Sequence, residues 1–131
     1  VVTPNLDEVR LLVGIDVVDA ATQRDAARAL HALGPRWVLV KGGHLRSAPN
    51  STDLLYDGGT FHTFDAPRVN TRHDHGAGDT MAAAIACALA HGFAMPEAVG
   101  FGKSWVTECL KAAYPIGNGL GPVSALFRLQ G

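Results

Sequence analysis

Apolar positions along the chain fall into short runs broken by glycine and proline, and the spacing within each run predicts an element. Val1 and Val2 read as a strand end, Pro4 disfavours helix at Thr3, and Asn5 is placed to cap a short helix over Leu6 to Val13 that Gly14 ends. Asp19 or Thr22 announces a second helix, in which Ala27, Leu30 and Leu33 share helical spacing and which Gly34-Pro35 stops. The unbroken apolar run Trp37 to Val40 predicts a strand covered on both faces, as in a parallel sheet. Residues 1 to 40 therefore read strand, helix, strand.

From Lys41 to Ser51 the composition turns to glycine, histidine, proline, asparagine and serine. Asp53 to Tyr56 and Thr60 to Phe64 then flank Asp57-Gly58-Gly59 as a hairpin, expected at a sheet edge. Pro67 to Asp74 is polar and irregular and leads through Gly76-Ala77-Gly78 into a helix from about Asp79 to His91. That helix is apolar on nearly every face, which predicts burial all round. Gly92 closes it, Pro96 opens a last helix to about Tyr114, and a glycine- and proline-rich return passes Gly117, Gly119 and Gly121. Without an internal repeat or a linker, the pattern is that of one α/β domain.

Composition narrows the function classes. Of 131 residues 47% are hydrophobic and 18% charged, which excludes disorder. Lys and Arg, 11 together, nearly balance 12 Asp and Glu for a net charge of -1. No basic block offers a footprint for nucleic acid or an anionic membrane, so a small molecule is the expected partner. No stretch approaches the ~20 apolar residues that span a bilayer and no leader pattern opens the chain, so the expectation is a cytoplasmic protein. Cys87 and Cys109 sit in apolar helical patterns and are expected as buried thiols without a disulfide. The chain begins inside a strand pattern without an initiator methionine, so it reads as a fragment. The unpaired edge at Val1 and Val2 favours association, and a homodimer is one expected assembly.

The chemistry concentrates in His75-Gly76-Ala77-Gly78-Asp79-Thr80. Small residues let the backbone turn tightly and aim several N–H groups at one point, and the positive end of the helix dipole adds to them. A phosphoryl group in flight would find its charge met there, and Asp79 could accept the proton of an attacking hydroxyl. The alternative is that Gly76 and Gly78 only turn the chain and Asp79 only caps a helix. A carboxylate at the start of a buried helix is costly unless it has a function, which favours the first reading.

Asn5 and Glu8, three apart at a helix start, can present oxygens to the waters around Mg²⁺, which needs few protein ligands; the same spacing is also a plain capping box. Lys41-Gly42-Gly43-His44 follows the apolar strand at its carboxyl end, where Lys41 could meet a phosphate and the glycines admit a nucleotide; a flexible loop with a solvated lysine is the other reading. His62, His73 and His75 lack matching ligands at a usual zinc spacing. Gly102-Lys103-Ser104 is not a P-loop, because it lies inside a helical pattern and Glu97 stands where the first glycine belongs. Gly117-Asn118-Gly119-Leu120-Gly121 has the wrong spacing for a dinucleotide fingerprint.

Taken in order, Thr3-Pro4-Asn5-Leu6-Asp7-Glu8, Val40-Lys41-Gly42-Gly43-His44, Thr71 through Thr80, and Gly117 through Val123 resemble the ribokinase-like superfamily. Within it the chain is similar to the hydroxymethylpyrimidine and phosphomethylpyrimidine kinases of thiamine biosynthesis, over essentially all 131 residues but only their carboxyl-terminal half. The resemblance implies an α/β fold with a mainly parallel sheet flanked by helices, of which 1–131 is a single partial domain. It implies ATP and Mg²⁺ as cofactors, and phosphorylation of the pyrimidine's hydroxymethyl group and then of its monophosphate. On this resemblance Ala77, Gly78 and Asp79 correspond to the anion hole, with Asp79 as catalytic base. Asn5, Glu8, Lys41, Gly42, Gly76 and Thr80 are expected at the cofactor, with Glu8 near Mg²⁺ through water. Many members read Gly-Thr-Gly-Cys-Thr in place of Gly76 to Thr80 and Asn-Thr-His in place of His73 to His75. The aspartate is typical of the wider superfamily, which keeps pyridoxal kinase as an alternative; a non-catalytic nucleotide-binding fragment is another. Without the half that supplies most of the ring pocket, the isolated chain is expected to be inactive.

Overall fold

The computed structural model describes residues 1–43 and 48–129, and His44 of the Lys41-Gly42-Gly43-His44 motif lies outside them. The chain divides into two compact units, Val1–Arg68 and Val69–Gly131.

The first unit holds α1 (Leu6–Val13), α2 (Ala20–His31), β1 (Val38–Val40), β2 (Asn50–Tyr56) and β3 (Phe61–Pro67). α1 starts where Asn5 Oδ1 accepts from the Glu8 N–H at 2.8 Å and Glu8 Oε2 accepts from the Asn5 N–H at 2.8 Å. Such a box contributes about 0.5–2 kcal/mol. Gly14 ends the helix at φ 70, a left-handed conformation that suits glycine. α2 is capped by Asp19, whose Oδ1 accepts from the Thr22 N–H at 2.8 Å, and turns Gln23, Ala26, Ala27 and Leu30 inward. Leu33, expected on that stripe, lies beyond the end of the helix and is 66% exposed.

The sheet has the order β1-β2-β3, with both neighbour pairs antiparallel. Fully buried Val38, Leu39 and Val40 form β1, each worth roughly 1.5–3 kcal/mol. Parallel pairing occurs here as an isolated bridge between Val2 and Val38, where the Leu39 N–H donates to the Val2 carbonyl at 2.8 Å. The antiparallel ladder follows from the short connection between β2 and β3, since a parallel pair needs a long crossover. β2 is the central strand, so of the hairpin only β3 is an edge. Both hairpin strands also run further than their apolar alternation, because Asn50, Ser51 and Thr52 pair with Pro67, Ala66 and Asp65. A hydrogen bond from Thr52 Oγ1 to Asp65 Oδ1 adds to that polar pairing. The hairpin turn is held by Asp57 Oδ1, which accepts from the Gly59 and Thr60 N–H groups at 2.9 and 2.7 Å and thereby keeps this carboxyl below the usual range. Val9, Ala26, Ala27, Leu30, Val38, Val40 and Leu54 form the core against which the helices lie.

The second unit holds α3 (Ala77–Ala90), α4 (Met95–Lys111) and a 3-10 turn at Phe127–Leu129. α3 buries Met81, Ala84, Ile85 and Ala88, one stripe at helical spacing, and leaves Cys87 exposed. The expectations of all-round burial for this helix and of a buried Cys87 are therefore corrected. Alanine makes a sequence look apolar, yet its exposure costs little because it has so little surface to hide. Both cysteines are free, and burial pushes the Cys109 thiol above its ordinary range. Gly102 lies inside α4, where an added Cβ would come within 2.7 Å of Ile85 Cγ1, so it serves helix packing and not a phosphate loop. Among the described residues no helix is long and apolar enough to cross a membrane.

Candidate functional site

In the second unit the chain enters α3 through Gly76, which adopts φ 84 and ψ 4. The Asp74 carbonyl accepts from the Ala77 N–H at 3.0 Å, and the Gly76 carbonyl accepts from the Thr80 N–H at 2.9 Å. Between them the N–H groups of Gly78 and Asp79 have no acceptor among the described residues, as the geometry of a helix start leaves them. The expected donor set of residues 77 to 79 thus narrows to Gly78 and Asp79, since the amide of Ala77 is already used. Gly76, Ala77, Gly78 and Thr80 are half-buried.

Asp79 sits in the first turn of α3, is exposed, and makes no capping hydrogen bond. The expectation that this carboxylate is carried into the interior is corrected: it keeps its hydration, so burial cost is no argument for its role. Its freedom from capping bears on the chemistry instead. α1 and α2 begin with side chains spent on their own backbones, whereas α3 begins with unspent donors and an unspent carboxylate. That combination can receive an anion and, beside it, a proton.

In the first unit, the Lys41 N–H donates to the Pro4 carbonyl at 3.0 Å, which fixes Lys41 beside the Asn5 cap. Gly42 is buried, its N–H donates to Asp53 Oδ1 at 2.9 Å, and a side chain on it would run into the Thr52 carbonyl oxygen. Gly42 is therefore required by packing, and its amide is spent inside the protein. The Asn5–Glu8 capping box is formed, with Glu8 exposed, so one carboxylate oxygen caps and the other remains accessible to a water. Among the described residues no group of three or more His, Cys, Asp or Glu side chains is placed to hold a metal ion directly.

Sequence reasoning missed the residues that hold this loop. Buried Asp53 receives Gly42, buried Gln23 donates through Nε2 to the Val40 and Thr52 carbonyls at 3.1 Å each, and Arg68 donates to the Gly43 carbonyl at 2.5 Å. The available signal was a polar residue on an apolar face: Gln23 in register with Ala26, Ala27 and Leu30, and Asp53 next to Leu54 and Leu55.

Solved structures resemble this chain closely. An ADP complex of Bacillus subtilis pyridoxal kinase superposes with a TM-score of 0.92 at 32% identity, covering 99% of this chain and 49% of that one. The pyridoxal kinase of Staphylococcus aureus, in complex with AMP-PCP and pyridoxal, gives a TM-score of 0.88 at 35% identity, covering 93% and 46%. The fold is thus the α/β ribokinase-like one. A sequence model described as Phosphomethylpyrimidine kinase matches residues 1–124, and the chain belongs to that family. It is 71% identical over 132 residues to the hydroxymethylpyrimidine/phosphomethylpyrimidine kinase of Mycobacterium leprae, over 98% of this chain and 47% of that protein. The chain spans about half the length of the curated relatives it matches.

Proposed function

We propose that the chain is part of a single ribokinase-like domain that transfers the γ-phosphoryl group of ATP to the hydroxymethyl group of a hydroxymethylpyrimidine, and then to the resulting monophosphate. The observation that carries this is the start of α3, where the Gly78 and Asp79 N–H groups and the uncapped Asp79 carboxylate stand together. The donors meet charge on the transferred group, and Asp79 accepts the proton of the attacking hydroxyl. Lys41 is the side chain expected to meet nucleotide phosphate. The residues present fit Mg²⁺ as well, because exposed Glu8 offers a carboxylate oxygen to bound waters and magnesium needs no more from the protein. Bound Mg²⁺ would offset the phosphate charge, and Asn5 would orient Glu8 through their reciprocal hydrogen bonds.

A second reading has its own support, since the solved structures described above are pyridoxal kinases. The same machinery would then phosphorylate pyridoxal. The test is a family-length chain carrying this sequence, supplied with ATP, Mg²⁺ and either compound. The pyrimidine is expected to be phosphorylated faster, and Asp79→Asn to lower kcat by about two to four orders of magnitude with nucleotide binding nearly unchanged. Turnover preserved in Asp79→Asn would reject the base, preference for pyridoxal would select the second reading, and nucleotide binding without turnover would indicate a non-catalytic protein.

A further inference from the structure

Building on the phosphoryl-transfer reading, we propose that His73 is a positioning residue, whose imidazole locks the glycine-rich return at Gly121 to the backbone leading into the anion-binding turn of α3. The Gly121 N–H donates to His73 Nδ1 at 2.8 Å, across 48 positions of sequence. Around this bond backbone hydrogen bonds also join the two segments: the His75 N–H donates to the Gly121 carbonyl at 3.3 Å, and the Val123 N–H to the His75 carbonyl at 3.1 Å. His75 and Pro122 form a parallel bridge there.

The return is itself anchored to the end of α4. The Ser124 N–H donates to the Cys109 carbonyl at 3.0 Å, and the Tyr114 N–H to the Pro122 carbonyl at 3.4 Å. Gly121 is buried, and any side chain on it would run into the Tyr114 carbonyl oxygen, so the return has little room to shift. From His73 the chain reaches the site in three residues, and the Asp74 carbonyl holds the Ala77 N–H that precedes the two free donors. The position of the Gly78 and Asp79 amides therefore depends on where residues 73 to 75 are held. Among the described residues, His73 supplies the side-chain acceptor that joins the two segments. Removing it leaves the amide of a buried glycine unpaired. The bond also fixes the tautomer: Nδ1 must offer its lone pair, so the proton resides on Nε2.

The test uses the family-length chain. His73→Leu removes the acceptor, whereas His73→Asn keeps an oxygen at the same distance along the side chain as Nδ1. His73→Leu is expected to lower kcat on the order of ten- to a hundredfold, with the KM for ATP changed less, as follows from displaced catalytic groups. His73→Asn should recover turnover to within about threefold of the parent, a rescue that follows from keeping the acceptor. Unchanged kcat in His73→Leu, or equal loss in His73→Asn when both variants melt like the parent, would overturn the proposal. NMR of the unmodified chain decides the bond even where a variant fails to fold. A Gly121 amide protected from exchange with His73 as the Nε2–H tautomer is expected, and a fast-exchanging Gly121 or an Nδ1–H tautomer would refute it. Nucleotide binding without turnover in the parent chain would instead sink the kinase reading alone, with the NMR outcome still deciding the His73 bond.

Discussion

At Gly42 the backbone N–H donates to a buried carboxylate 2.9 Å away, while at Gly78 and Asp79, also beside a glycine turn, the N–H groups have no acceptor among the described residues. Lys41-Gly42-Gly43 and Gly76-Ala77-Gly78 are similar strings of small residues, and either would pass as a phosphate loop. The first uses glycine because the Thr52 carbonyl leaves no room for a side chain, and its amide is satisfied by Asp53. The second uses glycine at φ 84 to turn the chain into a helix whose first donors stay open. A glycine string thus marks a close backbone approach, and the fate of the amides decides whether the approaching group is the protein or a ligand.

This contrast gives opposite outcomes for substitutions at the two turns. Of the glycine substitutions the larger effect is expected from Gly78→Pro, which deletes one open donor at a position in the first helical turn where proline is tolerated. Loss of such a donor should cost about 10²- to 10³-fold in kcat while the melting temperature moves little. A Gly78→Pro chain that folds and turns over normally would mean that the Gly78 amide takes no part. Gly42→Ala should do the reverse. Forcing a methyl group against the Thr52 carbonyl is expected to cost about 1–3 kcal/mol of stability, read by chemical denaturation. An unchanged denaturation midpoint would show that the packing reason for Gly42 is mistaken.

The smallest effect concerns the hairpin turn, where a side chain rather than a ligand accepts the backbone amides. Hydrogen bonds from Thr60 and Gly59 hold the Asp57 carboxyl below its ordinary value in the folded chain. Its contribution is therefore complete above the ordinary carboxylate value of about 4, and is lost as pH falls through the lowered folded-state value. Hairpin stability should decline with acid below about pH 4 in the parent and decline less in Asp57→Asn, measured by amide exchange at Gly59 and Thr60. Identical acid profiles for the two would remove Asp57 from the turn.

Much of the fold was legible because short-range chemistry set it. Asn5, Gly14 and Asp19 mark helix ends by hydrogen bonds to neighbours three or four residues away, and the apolar run at Val38 to Val40 could only be a covered strand. The start of β2 at Asn50 was hidden, since its first residues pair through polar contacts with β3 and show no alternation. The exposure of Asp79 and Cys87 was misjudged because an alanine-rich helix carries no contrast between its faces. At the candidate site the residue types were readable, but not which amides were spent. That depends on Asp53 reaching Gly42 across 11 positions and on the local turn at Asp74 taking the Ala77 amide.

Hydrogen exchange at single amides tests the central claim most directly, using the family-length chain with and without a non-hydrolysable ATP analogue and Mg²⁺. Without nucleotide, Gly42 should be protected and Gly78 and Asp79 should exchange rapidly. With saturating nucleotide, Gly78 and Asp79 should become protected while Gly42 stays as it was. Gly78 and Asp79 amides that are protected already in the free chain, or that exchange rapidly still when nucleotide is bound, would contradict the account.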